Sequence, residues 1–277
     1  MNPQYPIYIV SHGRWESRLT SKYLEWMDIP YKIIVEDSEY EKYAGVIKPD
    51  KILVLPYDNL EHTSVPARNF AWECAEKTGV ERFWLADDNI RGFSRLNHNE
   101  SNLVKTGTFF KVMEDFVDRY TNIALACPGY GFMGGGTRRK KPPFKLNVAC
   151  YSCVLIKIDL PFRFRGIYNE DTDLSLMVLK AGLCTVVFHA FLQNKVTTMT
   201  MKGGNTDTLY RGDGRRLMAE YLQSIHPDVV KIDKRWGRYQ HVVDYRPFKN
   251  NKLVKKEGLI IPDQINNYDM TLKEKNE

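Results

Sequence analysis

Phe83-Trp84-Leu85-Ala86 is a run of apolar residues with nothing polar between them, and it leads straight into Asp87-Asp88-Asn89. A strand with one face in water alternates; a run without alternation is covered on both faces, which places it inside the sheet of an α/β fold. Ligands of such sheets bind in the crevice outside the carboxyl ends of the strands, where these acids would sit. Two carboxylates and an amide oxygen there suit a hard cation bridging a diphosphate, and suit equally an acidic turn that closes a strand. The rest of the chain has to separate the two.

The first half alternates strand and helix patterns. Strands are expected at 5–10, 31–35, 52–55 and 82–86, and helices at 17–27, with Ser17 as a possible cap, and 67–78, ending at Gly79. This β-α-β repetition predicts a largely parallel sheet. Further on, the patterns predict helices at 109–120, 171–181 and 215–225, and strands at 123–126, 148–158, 185–188 and 196–200. A loop rich in Gly, Pro and basic residues is expected over 128–143, and a polar, lysine-rich extension or partly ordered tail from Pro247 onward.

The chain of 277 residues is 43% apolar, enough for a large core and against general disorder. No apolar run approaches the roughly 20 residues of a membrane helix, and the start lacks the apolar core of a signal peptide, so a soluble, cytoplasmic protein is expected. Cys150-Tyr-Ser-Cys153 has the look of half a zinc site, but no second Cys/His pair follows, and the five cysteines read as reduced core thiols. The net charge of +6 hints at an anionic partner.

Several polar clusters fall where this pattern ends its strands or begins its helices. Ser11-His12-Gly13-Arg14 follows the first strand, with Gly13 allowing a tight turn and Arg14 able to meet a phosphate or base edge. Glu36-Asp37 follows the second, where an acid can accept from a ribose or uracil. Arg68 and Asn69 open the helix before the acidic strand, for a nucleotide or for a structural salt bridge. Asn169-Glu170-Asp171-Thr172-Asp173 opens another helix; acids favour a first turn in any case, but this junction also suits a general base. His189 after a later strand is either structural or a metal ligand, and Lys202-Gly203-Gly204 could close over phosphates. Arg138, Arg139, Lys140 and Lys141 concentrate charge in one loop, and Lys234, Arg235, Trp236 and Arg238 mix cations with an aromatic ring. Both suit nucleic acid, or a merely solvated basic face.

Taken in order, Arg14, Glu36-Asp37, Ala67-Arg68-Asn69, Asp87-Asp88-Asn89 (at the position of a DxD motif) and Asn169-Glu170-Asp171 (at that of an xED motif) resemble the glycosyltransferases of GT-A fold over about residues 5 to 210. With Lys202-Gly203-Gly204 they resemble more narrowly the phage TET-associated glycosyltransferases, which glycosylate 5-hydroxymethylated pyrimidines in DNA. The third position of the triplet departs from the motif, being Asn89 rather than aspartate.

The resemblance implies a Rossmann-like, mostly parallel sheet flanked by helices, with a smaller acceptor-side region. The expected boundaries are 1–210 for the glycosyltransferase domain, split into a nucleotide-sugar half (1–127) and an acceptor half (128–210), and 211–277 for a C-terminal helical and basic extension. It implies a nucleoside-diphosphate sugar donor, such as a UDP-sugar, on His12, Arg14, Glu36, Asp37, Arg68, Asn69, Asp88, Lys202, Gly203 and Gly204. Mn²⁺ or Mg²⁺ is implied on Asp87, Asn89 and His189, and DNA on the two basic clusters. Asp171, with Glu170 as its rival, would be the base of an inverting transfer to 5-hydroxymethylcytosine or a related pyrimidine, in the host cytoplasm if the protein is phage-encoded. The rival expectations are a GT-A enzyme acting on a polysaccharide, lipid-linked sugar or protein; a sugar-nucleotide nucleotidyltransferase; and a non-enzymatic DNA-binding protein.

Overall fold

The computed structural model describes residues 1–57, 63–97, 100–131, 142–196, 201, 213–235 and 237–259. The chain runs β1 (Ile7–Val10), α1 (Leu19–Trp26), β2 (Lys32–Val35), α2 (Tyr40–Ala44), β3 (Ile52–Val54), α3 (Val65–Glu76), β4 (Arg82–Asp87), β5 (Ile90–Asn97) and β6 (Glu100–Leu103). It continues with α4 (Thr108–Val117), β7 (Ile123–Tyr130), β8 (Phe144–Leu146), β9 (Cys153–Lys157), α5 (Glu170–Lys180), β10 (Cys184–Lys195), α6 (Gly214–Ile225), β11 (Val230–Arg235) and β12 (Arg238–Val243).

One large sheet has the order β3-β2-β1-β4-β9-β7-β10-β5-β6, with β8 paired to β10. The expected parallel half is present as β3, β2, β1 and β4. Beyond β4 the sheet is mixed: β9 enters antiparallel to both β4 and β7, β7 and β10 are parallel, and β5 and β6 close the far edge antiparallel. The unalternating run in β4 is explained by its two covered faces. Trp84 and Ala86 join Ile7, Ile9, Phe110 and Met113 on one side, while Phe83 and Leu85 join Tyr8, Val10, Trp72 and Leu174 on the other.

Several expectations change. The strand expected at 148–158 is shorter, β9 covering only Cys153–Lys157. Residues 185–188 are part of a longer strand, β10, which runs to Lys195 and stops short of the strand expected at 196–200; Val196 is not in a strand, and 197–200 lie outside the described residues. Ser17 does not cap α1, whose N-cap position is Arg18 with no side-chain cap. The polar stretch from Pro247 is tied down as far as it is described. Asn147 Nδ2 donates to the carbonyls of Phe248 and Asn251 at 2.9 Å, Asn251 Nδ2 donates to those of Leu179 and Leu183 at 2.8 Å, and Asn122 Nδ2 donates to that of Lys252 at 2.7 Å. The cysteines are free, and Cys127, Cys150, Cys153 and Cys184 are buried. No helix among the described residues is long and apolar enough to cross a membrane.

Candidate active site

Arg68 joins the two acidic clusters. It lies in the first turn of α3 with its side chain only 5% exposed, and its guanidinium reaches Asp87 Oδ1 at 2.9 Å, Glu170 Oε1 at 3.2 Å and Asp171 Oδ1 at 3.4 Å. Ser64, just before α3, bonds both Arg68 Nε (3.1 Å) and Glu170 Oε1 (2.8 Å). The end of β4, the start of α3 and the start of α5 thus meet at one edge of the sheet. Burial opposes the charge on Arg68, but Asp171, Asp87 and Glu170 together raise its pKa above the ordinary arginine value.

Asp87 is held from a second side. Its Oδ2 accepts from Lys195 Nζ at 2.7 Å, and the same ammonium donates to Ser152 Oγ at 2.8 Å. Burial disfavours the Asp87 carboxylate, yet Lys195 and Arg68 hold its pKa well below the usual carboxylate range. Asp88 points the other way, as the next residue after a strand end should. Its Oδ2 accepts from Ser11 at 2.7 Å, its Oδ1 accepts from Arg14, and it is 4% exposed. Burial raises its pKa against those two partners.

At the start of α5 the acids separate. Asn169 takes a left-handed conformation (φ 54°) and donates to the Met218 carbonyl at 2.6 Å, which fixes the junction. Asp173 is wholly buried and pairs with His226 Nε2 (2.7 Å) and Arg165 Nε (2.8 Å). Asp171 differs from both neighbours: its Oδ1 is buried without a hydrogen bond. Burial, then Glu170 and Asp87, push its pKa up to about 7 against the pull of Arg68. A carboxylate with that pKa gives and takes protons near neutrality.

A family model for TET-associated glycosyltransferases matches residues 5–204. The chain belongs to the TET-associated glycosyltransferase family. It is therefore a glycosyltransferase, with a nucleotide-sugar donor implied. Among solved structures it is similar to one described as a nucleotide-diphospho-sugar transferase from Desulfovibrio desulfuricans G20, at 12% identity and a TM-score of 0.38 over 82% of this chain and 96% of that one. It is also similar to mannose-6-phosphate isomerase from Helicobacter pylori, at 7% identity and a TM-score of 0.28 over 92% and 94% of the two chains. No match to a curated protein is found.

In this TET-associated glycosyltransferase the remaining sequence candidates fall in different places. His12 stands 57% exposed beside Glu36 (3.7 Å) and Glu39 (3.4 Å), and Asp37 opens a short turn next to them, also exposed. Gly13 lies in the expected tight turn, in the left-handed region (φ 65°), and its N–H donates to Glu39 Oε1 at 2.8 Å. Asn69 engages both amide groups on the Phe164 backbone, which pins the segment leading to α5. Lys202, Gly203, Gly204, Arg138, Arg139, Lys140, Lys141 and Trp236 lie outside the described residues.

The implied Mn²⁺ or Mg²⁺ does not fit the donor set found. Both oxygens of Asp87 already meet cations, and both of Asp88 have partners of their own. Asn89 keeps one buried amide oxygen without a partner, a single hard ligand where such an ion takes several. His189 bonds the Pro142 carbonyl through Nδ1 and lies six residues upstream of Lys195, up to about 20 Å of extended chain. The pairing of Lys195 with Ile90 brings the lysine, not the histidine, beside the triplet. Lys195, Ser152, Ser64 and Glu39 are the site residues that sequence reasoning missed, and Ser11 was in the strand-end cluster but without a role. Lys195 sits where two strands were expected with a break between them, and the polar run Gln193-Asn194-Lys195 was its one signal.

Proposed function

We propose that the chain moves a sugar from a nucleoside-diphosphate sugar, such as a UDP-sugar, to the hydroxyl of 5-hydroxymethylcytosine or a related hydroxymethylpyrimidine in phage DNA, with inversion. The carrying observation is the Arg68 bridge, which sets Asp171 beside the strand end where the donor diphosphate belongs. Both acids meet Arg68, but Glu170 also accepts a hydrogen bond from Ser64, whereas Asp171 Oδ1 has no hydrogen bond, which favours Asp171 as the base. In this reading Asp171 takes the hydroxymethyl proton as the hydroxymethyl oxygen attacks the anomeric carbon. The bond from that carbon to the diphosphate oxygen breaks, and the nucleoside diphosphate leaves. One base on the attacking side gives inversion.

Arg14, His12, Glu36 and Asp37 line the end of the sheet assigned to the nucleoside in this reading, and Arg68 supplies positive charge by the diphosphate. The DNA assignment draws on the family, on the net charge of +6, and on the hairpin β11–β12. In that hairpin Lys231 and Arg238 are exposed, and Lys234 lies 5.7 Å from the ring of its cross-strand partner Tyr239. A base inside a duplex is out of reach of such a site, so the target nucleotide is flipped out. Labelled sugar nucleotides offered in parallel with hydroxymethylated DNA, unmodified DNA and a saccharide acceptor test the proposal. Label on the hydroxymethylated DNA alone is expected, and label on the saccharide alone rejects the DNA acceptor.

A further inference from the structure

The acid that ends β4 is already neutralised from within the chain. Asp87 Oδ1 meets Arg68 and its Oδ2 meets Lys195, and the surroundings hold Lys195 in that place. Lys195 is the last residue of β10, and its register opposite Ile90 fixes the approach. On the far side stands Ser152, 1% exposed and in the left-handed region (φ 65°), a conformation that non-glycine residues adopt only where the surroundings impose it. That twist lets Ser152 use both ends: its carbonyl accepts from the Asp87 N–H at 2.7 Å, and its hydroxyl meets Lys195 Nζ at 2.8 Å and the Tyr130 hydroxyl at 3.0 Å. An ammonium has three N–H donors. Asp87 and Ser152 take two, and the side chain is 19% exposed at the edge of the sheet, which leaves the third for an anion arriving there.

We propose that Lys195, seated on Asp87 and Ser152, contacts the donor diphosphate in the place a divalent cation would hold, so that donor binding and transfer by this chain require no metal ion. A divalent ion at Asp87 would have to displace Lys195 and lie beside the Arg68 guanidinium, two positive charges against its entry. The inference rests on the nucleotide-sugar donor of the proposed function and not on its DNA acceptor.

The test is calorimetric titration of the full chain with UDP, and in parallel with the other nucleoside diphosphates, without acceptor, in excess EDTA and again with Mn²⁺. The expected result for the wild type is equal affinity in both buffers. Lys195→Met, which keeps the apolar stem, should weaken binding in EDTA by about tenfold or more, the loss of one charge-assisted hydrogen bond. It should also let Mn²⁺ restore binding and give a bound-Mn²⁺ electron paramagnetic resonance signal that the wild type lacks. Lys195→Arg keeps EDTA-insensitive binding, and thermal melts check that each variant is folded. Wild-type binding that vanishes in EDTA and returns with Mn²⁺ overturns the inference, as does a Lys195→Met protein that binds like wild type in EDTA. Binding of no diphosphate in either buffer also overturns it, since Lys195 then serves Asp87 alone. Failure of transfer to DNA leaves the titration untouched, so the two readings fail separately.

Discussion

Asp171 and Arg68 are opposite solutions to the same burial. Arg68 is surrounded by acids and keeps its charge, so Arg68→Ala leaves buried carboxylates facing one another. It should lower stability by about 3–5 kcal/mol in denaturant titrations, the size seen when one partner of a buried pair is removed. Asp171 is left short of partners, and its pKa near 7 has two consequences of fixed sign. As a base it works only when deprotonated, so the rate of transfer should rise with pH through about 7 and fall below it, and Asp171→Asn should remove that limb along with the activity. For stability, the folded state holds the Asp171 proton more tightly than the unfolded chain does. This residue's contribution therefore falls as pH rises from the ordinary carboxylate range to about 7. Both residues were legible in the sequence because strand ends and helix starts are local signals. Lys195 was not, because its role depends on a strand pairing made far from Asp87 in the chain.

At the scale of elements, what holds the start of α5 matters as much as the acids on it. His226, just past α6, reaches Asp173 in the second half of that first turn, and Gly166 (φ 76°) lets the preceding loop pass so close to Tyr221 of α6 that any Cβ would collide with its hydroxyl. His226→Ala should therefore cost about 1–3 kcal/mol in unfolding and, on the proposed function, lower kcat more than it weakens UDP binding, because α5 carries the proposed base. The elements that were legible, β1, α1, β2, β4, α3 and α5, carry their apolar pattern within themselves. Those that were not, β5, β6, β8 and the hairpin β11–β12, are set by strand pairing rather than by an apolar pattern of their own. The same holds for β10: its centre, Phe188 to Leu192, shifts register against β7, and the interrupted pattern reads as a strand only over 185–188.

For the molecule as a whole, the C-terminal region packs onto α5 as far as it is described. Leu222, Val229, Val230 and Phe248 share a small core with Leu176 and Leu179 of α5, so the hairpin is carried on the helix that bears Glu170 and Asp171. If the hairpin meets the DNA backbone, replacing Lys231, Lys234 and Arg238 with Gln should raise the Km for DNA and reduce the slope of log affinity against log salt, by about 0.9 for each phosphate no longer neutralised. UDP binding should be unchanged by the same replacements. The central claim is that Asp171, bridged through Arg68 to the donor edge, drives transfer to a hydroxymethylpyrimidine of DNA. Its most direct test is mass spectrometry of nucleosides digested from hydroxymethylated DNA after incubation with UDP-sugars and either wild-type or Asp171→Asn protein. The account predicts one added sugar on the hydroxymethylpyrimidine with wild type and none with the variant. An equal yield from Asp171→Asn, or sugar on a saccharide acceptor and never on the DNA, would contradict it.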